Sequence, residues 1–325
     1  DRLNRLSYSQ TFVMSNKARD MKAAGIDVIS LTLGEPDFDV PDNIKKAAFD
    51  AINENYSHYS PVPGFLELRK AIVNKLKRDN NLDYKPTQIC VANGAKQNIF
   101  NVLAALVNEG DEVILPAPYW VSYDEMVKIN GGVSVFIETN IDTEFKMTAE
   151  QLEAAITPKT KAVLYSSPCN PSGSYYTREE LEKIANVMAK YPDVVIISDE
   201  IYEFINYDGE HVSIAEFPQV FNQTAVINGM SKAFAMTGWR IGYSACPQWL
   251  ADACDKLQGQ VTSGANTVAQ RASIVGLETD PKDYYYMVES FEKRRNLVYE
   301  LLKEVPGFKV NLPKAAFYFF PDISY

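Results

Sequence analysis

Val194-Val195-Ile196-Ile197-Ser198-Asp199-Glu200-Ile201-Tyr202 decides the fold. Four β-branched residues follow one another without the alternation of a half-exposed strand, so both faces of this strand must be covered. The run then ends in two carboxylates. Similar short apolar runs occupy 88–92, 112–115, 133–138, 162–166, 225–228 and 241–245. Amphipathic stretches separate them. Thr148 with Gln151, and Thr177 with Glu180, have the spacing of capping boxes ahead of helices ending near Ile156 and Lys190. Pro41-Asp42 opens a helix through Ala51, and Ala95 opens another through Val107. Strands alternating with helices make βαβ units, which predicts an α/β fold around a largely parallel sheet. From about Ser263 to Leu302 the pattern turns mostly helical, with Phe291, Val298, Leu301 and Leu302 as one apolar stripe. A second, smaller domain is expected to begin there, with the first 30 or so residues packing on it. The aromatic run 316–321 reads as a strand needing partners on both sides, so more chain is expected beyond Tyr325.

Composition narrows the function. The chain has 325 residues, about two domains' worth. Lys plus Arg number 32 against 42 Asp plus Glu, and 32 − 42 = −10. An acidic chain without a basic stripe is a poor ligand for nucleic acid or anionic membranes, because phosphate neutralisation dominates those affinities. No apolar run approaches the roughly 18 residues needed to span a bilayer. The four cysteines, Cys90, Cys169, Cys246 and Cys254, form neither a disulfide framework nor a CxxC pair, which fits a reduced, cytoplasmic protein. The opening stretch Asp1-Arg2-Leu3-Asn4-Arg5 carries no signal-peptide core.

In a parallel sheet, ligands gather at the carboxyl ends of strands near helix N-termini. Asn93-Gly94-Ala95-Lys96-Gln97 follows the first strand and opens a helix, where backbone N–H groups can meet an anion. A tight turn that needs Gly explains the same residues. Ser167-Pro168-Cys169-Asn170-Pro171-Ser172-Gly173 offers an Asn amide on an irregular loop; an Asx-Pro turn is the alternative. Asp199, at the tip of a buried strand, needs a cationic or N–H partner, or else is a helix cap, and Tyr202 is placed to face the same ligand. Lys232 lies among small and apolar residues, where desolvation disfavours the ammonium and makes an amine nucleophilic toward carbonyls. Arg240, bracketed by Gly238 and Gly242, suits a forked clamp on phosphate. No one of these is decisive, but their order along the chain is.

Ser231-Lys232-Ala233-Phe234-Ala235-Met236-Thr237-Gly238-Trp239-Arg240-Ile241-Gly242 resembles the pyridoxal-phosphate lysine signature of the class I/II aminotransferases. Asn170-Pro171-Ser172-Gly173, Ser198-Asp199-Glu200-Ile201-Tyr202 and Leu33-Gly34-Glu35-Pro36-Asp37-Phe38 resemble that family's motifs in the same order. Pro118-Tyr119-Trp120-Val121-Ser122-Tyr123 is similar to the bacterial-type aspartate aminotransferases in particular. The likeness runs from about Asn4 to Tyr325.

The resemblance implies a type I pyridoxal-phosphate-dependent transferase fold. A large domain over 36–270, with a mostly parallel seven-stranded sheet between helices, would carry a smaller α+β domain. Residues 1–35 would form an arm and part of that small domain, and 271–325 its linking helix and start. It implies pyridoxal 5'-phosphate bound to Lys232 as a Schiff base, with Lys232 also shuttling a proton, Asp199 on the ring nitrogen, Tyr202 and Asn170 on the phenolic oxygen and Trp120 stacked on the ring. Ala95, Lys96, Ser231 and Arg240 would take the phosphate. Tyr59 would reach the phosphate of a neighbouring subunit, making the protein a homodimer. Gly34 would approach the substrate carboxylate, and Lys96 would bind the distal carboxylate of aspartate or glutamate. Two departures stand out. The Arg that fixes the α-carboxylate in the family is not within these residues, and Gly229 stands where the family often has a hydroxyl.

The expected activity is transfer of the amino group of an L-amino acid, aspartate or glutamate, to a 2-oxo acid. Prephenate or aromatic amino transfer and cofactor-dependent β-elimination are alternatives on the same scaffold. A non-catalytic, cofactor-binding regulatory domain would need a basic DNA-binding segment, which a charge of −10 disfavours.

Overall fold

The computed structural model describes residues 2–209 and 211–324; Asp1, Glu210 and Tyr325 lie outside the described residues. Seven strands form one sheet: β1 (Ile89–Asn93), β2 (Glu112–Ala117), β3 (Val133–Glu138), β4 (Thr160–Ser166), β5 (Val195–Asp199), β6 (Thr224–Gly229) and β7 (Ile241–Ala245). Ten α-helices accompany them among the described residues: α1 (Gln10–Ala23), α2 (Asp42–Asn53), α3 (Leu66–Asn80), α4 (Ala95–Leu106), α5 (Ser122–Ile129), α6 (Ala149–Ala155), α7 (Arg178–Met188), α8 (Gln248–Val261), α9 (Thr267–Glu278) and α10 (Tyr285–Lys303). The sheet order is β1-β7-β6-β5-β4-β2-β3.

The unbroken Val/Ile runs are explained by burial on both faces. Along β5, Ile196 joins the apolar cluster under α6 and α7, and Ile197 the cluster under α4 and α8. On β6, Val226 turns toward α2, α3 and α9, while Ile227 turns the other way. Both capping boxes form: Gln151 N donates to Thr148 Oγ1 (3.2 Å) and Thr148 N to Gln151 Oε1 (2.9 Å), and Thr177 and Glu180 do the same. No described helix is long and apolar enough to cross a membrane.

One strand departs from the parallel expectation. β7 runs antiparallel to both of its neighbours, β6 and β1. No crossover helix joins β6 to β7, only the loop 230–240, and a connection of that kind reverses the chain. The consequence for the site is direct. Lys232, just after β6, and Arg240, just before β7, come to the same edge of the sheet.

Two further expectations are corrected. The aromatic run 316–321 is not a strand: Ala316 takes a left-handed φ of 55°, which breaks extended backbone, and only the isolated bridges Asn206–Ala315 and Lys309–Asp322 flank it. The stretch 263–302 is mostly helical as expected, in two helices, α9 and α10, separated by a 3-10 turn over Pro281–Tyr284, but its apolar stripe is not buried as a whole. Of its expected stripe Phe291 is buried, whereas Leu301 is 54% exposed and Val298 38%. Near the other end, Arg5 pairs with Glu109 and the Ser7 amide donates to Glu125, both on the sheet-bearing body.

Candidate active site

Lys232 is the centre. Its Nζ donates to the Gly34 carbonyl at 2.6 Å and lies 5.8 Å from the centre of the Tyr202 ring and 5.7 Å from that of Phe317. Burial pushes its amine down from 10.5 to about 8; Glu35 and Asp199 oppose the fall and Arg240 adds to it. A substantial neutral fraction near physiological pH follows.

Asp199 closes β5, 4% exposed. Its Oδ2 accepts from the Tyr123 hydroxyl at 2.6 Å and its Oδ1 from the Ile201 amide at 3.3 Å. Burial raises its carboxyl from 3.8 to about 6, while Tyr123 and Ile201 hold it back. Asp199 is therefore no helix cap, since a run of turns follows it rather than a helix. Tyr123, which holds Asp199, is a residue for which the sequence suggested no role. The signal was available: it lies three residues beyond Trp120, and the two rings pack edge to face at 5.5 Å.

The phosphate candidates form a cradle around two glycines. Arg240 donates to Thr237 O (2.9 Å) and Asn93 O (3.1 Å). Its guanidinium lies where a Gly94 side chain would be, and Gly94 itself takes a φ of 85° that suits glycine. A Cβ on Gly242 would collide with the Ala95 amide, so β7 passes tight against the start of α4. Gly229 has the same explanation: a Cβ there would lie 2.8 Å from the Gly242 Cα, which leaves no room for the expected hydroxyl. Ser231 is buried beside Lys232.

Lys96, in the first turn of α4, sets its ammonium over the Trp120 ring at 4.7 Å and the Phe12 ring at 5.8 Å. Among the described residues no carboxylate pairs with it. Burial, helped by Arg240, lowers its pKa. Asn170 donates from Nδ2 to the Tyr318 hydroxyl at 3.4 Å, and Tyr202 meets the same hydroxyl at 2.5 Å. Tyr318 is thus a second residue for which the sequence suggested no role, hidden in an aromatic run that read as a strand. Lys232, Asp199, Tyr202, Asn170, Gly34, Arg240, Ala95, Lys96, Trp120 and Ser231 all lie along this one edge. Tyr59 does not join them; it is 96% exposed.

Residues 26–325 match the family described as aminotransferase class I and II. The chain belongs to that family. It is 48% identical to a probable aspartate/prephenate aminotransferase of Rhizobium leguminosarum bv. phaseoli, covering 99% of this chain and 81% of that protein. It is also 48% identical to an aspartate aminotransferase of Bacillus sp. (strain YM-2), over 100% of this chain and 83% of the other. Among solved structures, the aspartate aminotransferase of Rhizobium meliloti superposes with a TM-score of 0.96 at 42% identity, covering 100% of this chain and 82% of that one. The Thermus thermophilus aspartate aminotransferase with maleate gives 0.95 at 40%, covering 99% and 84%. The seven-stranded, mostly parallel sheet between helices is the type I fold that this family of aminotransferases implies.

Family membership implies use of pyridoxal phosphate, and the donor set fits it. A buried carboxylate that makes no ion pair among the described residues, a partly neutral amine, a turn of glycines against the start of α4 and a forked cation lie together.

Proposed function

We propose that the chain is a pyridoxal-phosphate-dependent aminotransferase that exchanges amino groups between aspartate or glutamate and their 2-oxo acids, acting as a homodimer. The observation that carries this reading is Lys232 itself, a half-buried amine held by the Gly34 carbonyl at 2.6 Å, close enough to Asp199 and Arg240 to feel both charges.

Lys232 would hold the cofactor by its aldehyde carbon, Asp199 by its ring nitrogen, and Arg240, Ser231 and the Ala95 and Lys96 amides by its phosphate. Trp120 would cover the ring face, with Tyr202 and Asn170 on the phenolic oxygen. When bound, pyridoxal phosphate supplies a carbonyl that takes the amino group and a ring that delocalises negative charge from the substrate Cα. Lys232 Nζ would take the proton from Cα and return it; its lowered basicity enlarges the unprotonated share able to do that work. Asp199, buried and braced by Tyr123, supplies negative charge in a dry site, where electrostatic stabilisation is strongest. Gly34, whose carbonyl accepts from Lys232, would lie beside the substrate carboxylate. Lys96 positions a distal carboxylate, since its ammonium rests on Trp120 with no acidic partner among the described residues. Tyr59 would serve a neighbouring subunit, which accounts for its exposure. The division into an arm, a cofactor-binding body over 36–270 and a smaller domain from 271 belongs to the same reading.

A panel of amino donors and oxo acids tests this. Aspartate with 2-oxoglutarate should turn over fastest, and Lys232→Ala should abolish it. No transfer with any pair, or full activity in Lys232→Ala, would refute the reading. The names of several relatives, aspartate/prephenate aminotransferases, favour prephenate as an additional acceptor to include.

A further inference from the structure

Tyr202 and Tyr318 are 116 positions apart in the chain, yet their phenol oxygens are 2.5 Å apart. The Tyr318 oxygen also accepts from the Asn170 amide. Its hydroxyl fills the space where Gly34 lacks a side chain, and the Gly34 carbonyl is the acceptor of Lys232 Nζ. One hydroxyl therefore touches three of the groups gathered around the amine.

The backbone holds it there. Lys314 N and Ala315 N both donate to Gly173 O (3.1 and 2.9 Å), Tyr207 N donates to Lys314 O (2.9 Å), and Ala316 N donates to Ile205 O (2.7 Å). These bonds lace residues 314–316 between the Asn170 loop and the turn that carries Tyr202. They fix fully buried Ala316 in its left-handed conformation, which a non-glycine residue adopts only when its surroundings over-determine it. That turn brings the Tyr318 ring edge-on to Tyr202, centroids 5.5 Å apart.

We propose that Tyr318 is a positioning residue for amino transfer: it accepts from Asn170, donates to the Tyr202 oxygen, and so leaves the Tyr202 proton free to point into the cleft beside Lys232. A phenol that accepts a hydrogen bond is the better donor, because chained hydrogen bonds polarise one another. Tyr318 thereby strengthens what Tyr202 donates without touching the reacting atoms. The titratable groups facing its hydroxyl are Tyr202, Asp199 and Cys169, and those facing Lys232 are Glu35, Arg240 and Asp199. The inference rests on the reading of Lys232 as the cofactor-bearing amine.

The test is the pH titration of the visible absorbance of the full chain loaded with pyridoxal phosphate, a readout separate from turnover. Tyr318→Phe keeps the ring and its packing and removes only the hydroxyl. Its midpoint should lie about 0.5 to 1 pH unit above that of the unchanged protein, the size expected for one hydrogen bond. Tyr202→Phe should raise the midpoint as well, and adding Tyr318→Phe to it should move nothing further, since the route runs through Tyr202. An unmoved midpoint in Tyr318→Phe overturns the proposal, as does a full additional shift in the double variant. If Lys232→Ala titrates like the unchanged protein, the Lys232 reading fails. A titration that depends on Lys232 but ignores Tyr318 sinks this inference alone.

Discussion

The amine of Lys232 should reveal its environment through pH. Burial lowers it from 10.5 to about 8, a fall of 10.5 − 8 = 2.5. At neutral pH the unprotonated fraction is then about 300 times that of an ordinary lysine, close to one molecule in ten. The assay is capture of free pyridoxal, chosen because it lacks the phosphate that would engage Arg240, followed by borohydride trapping and peptide mapping. The label should fall on Lys232, and its rate should climb about tenfold per pH unit up to a break near 8, then flatten. Lower basicity also reduces intrinsic reactivity, so the position of the break, not the absolute rate, is the readout. The neighbours fix the sign of further changes. Glu35→Gln and Asp199→Asn each remove a negative charge that favours the ammonium, so each should move the break lower; Arg240→Gln should move it higher. A rate that rises without a break past pH 10, or label spread over other lysines, would refute the account of Lys232 as a desolvated amine.

Asp199→Asn keeps the shape but not the charge, and steady-state turnover should fall by about 10² to 10³; unchanged turnover would mean the carboxylate is only structural. Lys96→Ala should lower kcat/KM for aspartate by about ten-fold or more while alanine and phenylalanine change little, as loss of a charged hydrogen bond implies; a uniform loss would remove Lys96 from side-chain recognition. Lys75, 1% exposed, pairs with buried Glu203, and Asn80 donates to the same carboxylate. Burial alone would raise Glu203; Lys75, His211 and Asn80 hold it below its usual range. Lys75→Met strands that charge and should cost about 3 to 5 kcal/mol in denaturant unfolding, and adding Glu203→Leu should recover most of it; equal stability of Lys75→Met and the parent would show that the pair carries no weight.

The residues proposed to carry chemistry were legible because strand ends are marked by composition. β5 is an apolar run that ends in Asp199, and β6 one that leads to Lys232, so the edge could be located without coordinates. What stayed hidden is what long-range pairing decides. The antiparallel direction of β7 is set by the loop 230–240 rather than by any strand residue. Tyr318 looked like one aromatic among several, because the left-handed turn at Ala316 has no glycine to announce it. Tyr123 gave up its role only once Asp199 Oδ2 lay 2.6 Å from its hydroxyl. The expected α10 stripe failed because helical periodicity tells which side is apolar, not whether anything covers it.

The place of β1 in the sheet has a consequence for the nascent chain. Its one neighbour is β7, whose first residue is Ile241, so the buried Ile89–Asn93 segment waits unpaired through the synthesis of about 150 residues before its ladder can close. Until then the Ala95 and Lys96 amides, proposed above to hold phosphate, and Arg240 belong to separate, unjoined halves of the molecule. A cofactor held as proposed would meet its full cradle only after that pairing, and its binding would then favour the joined sheet.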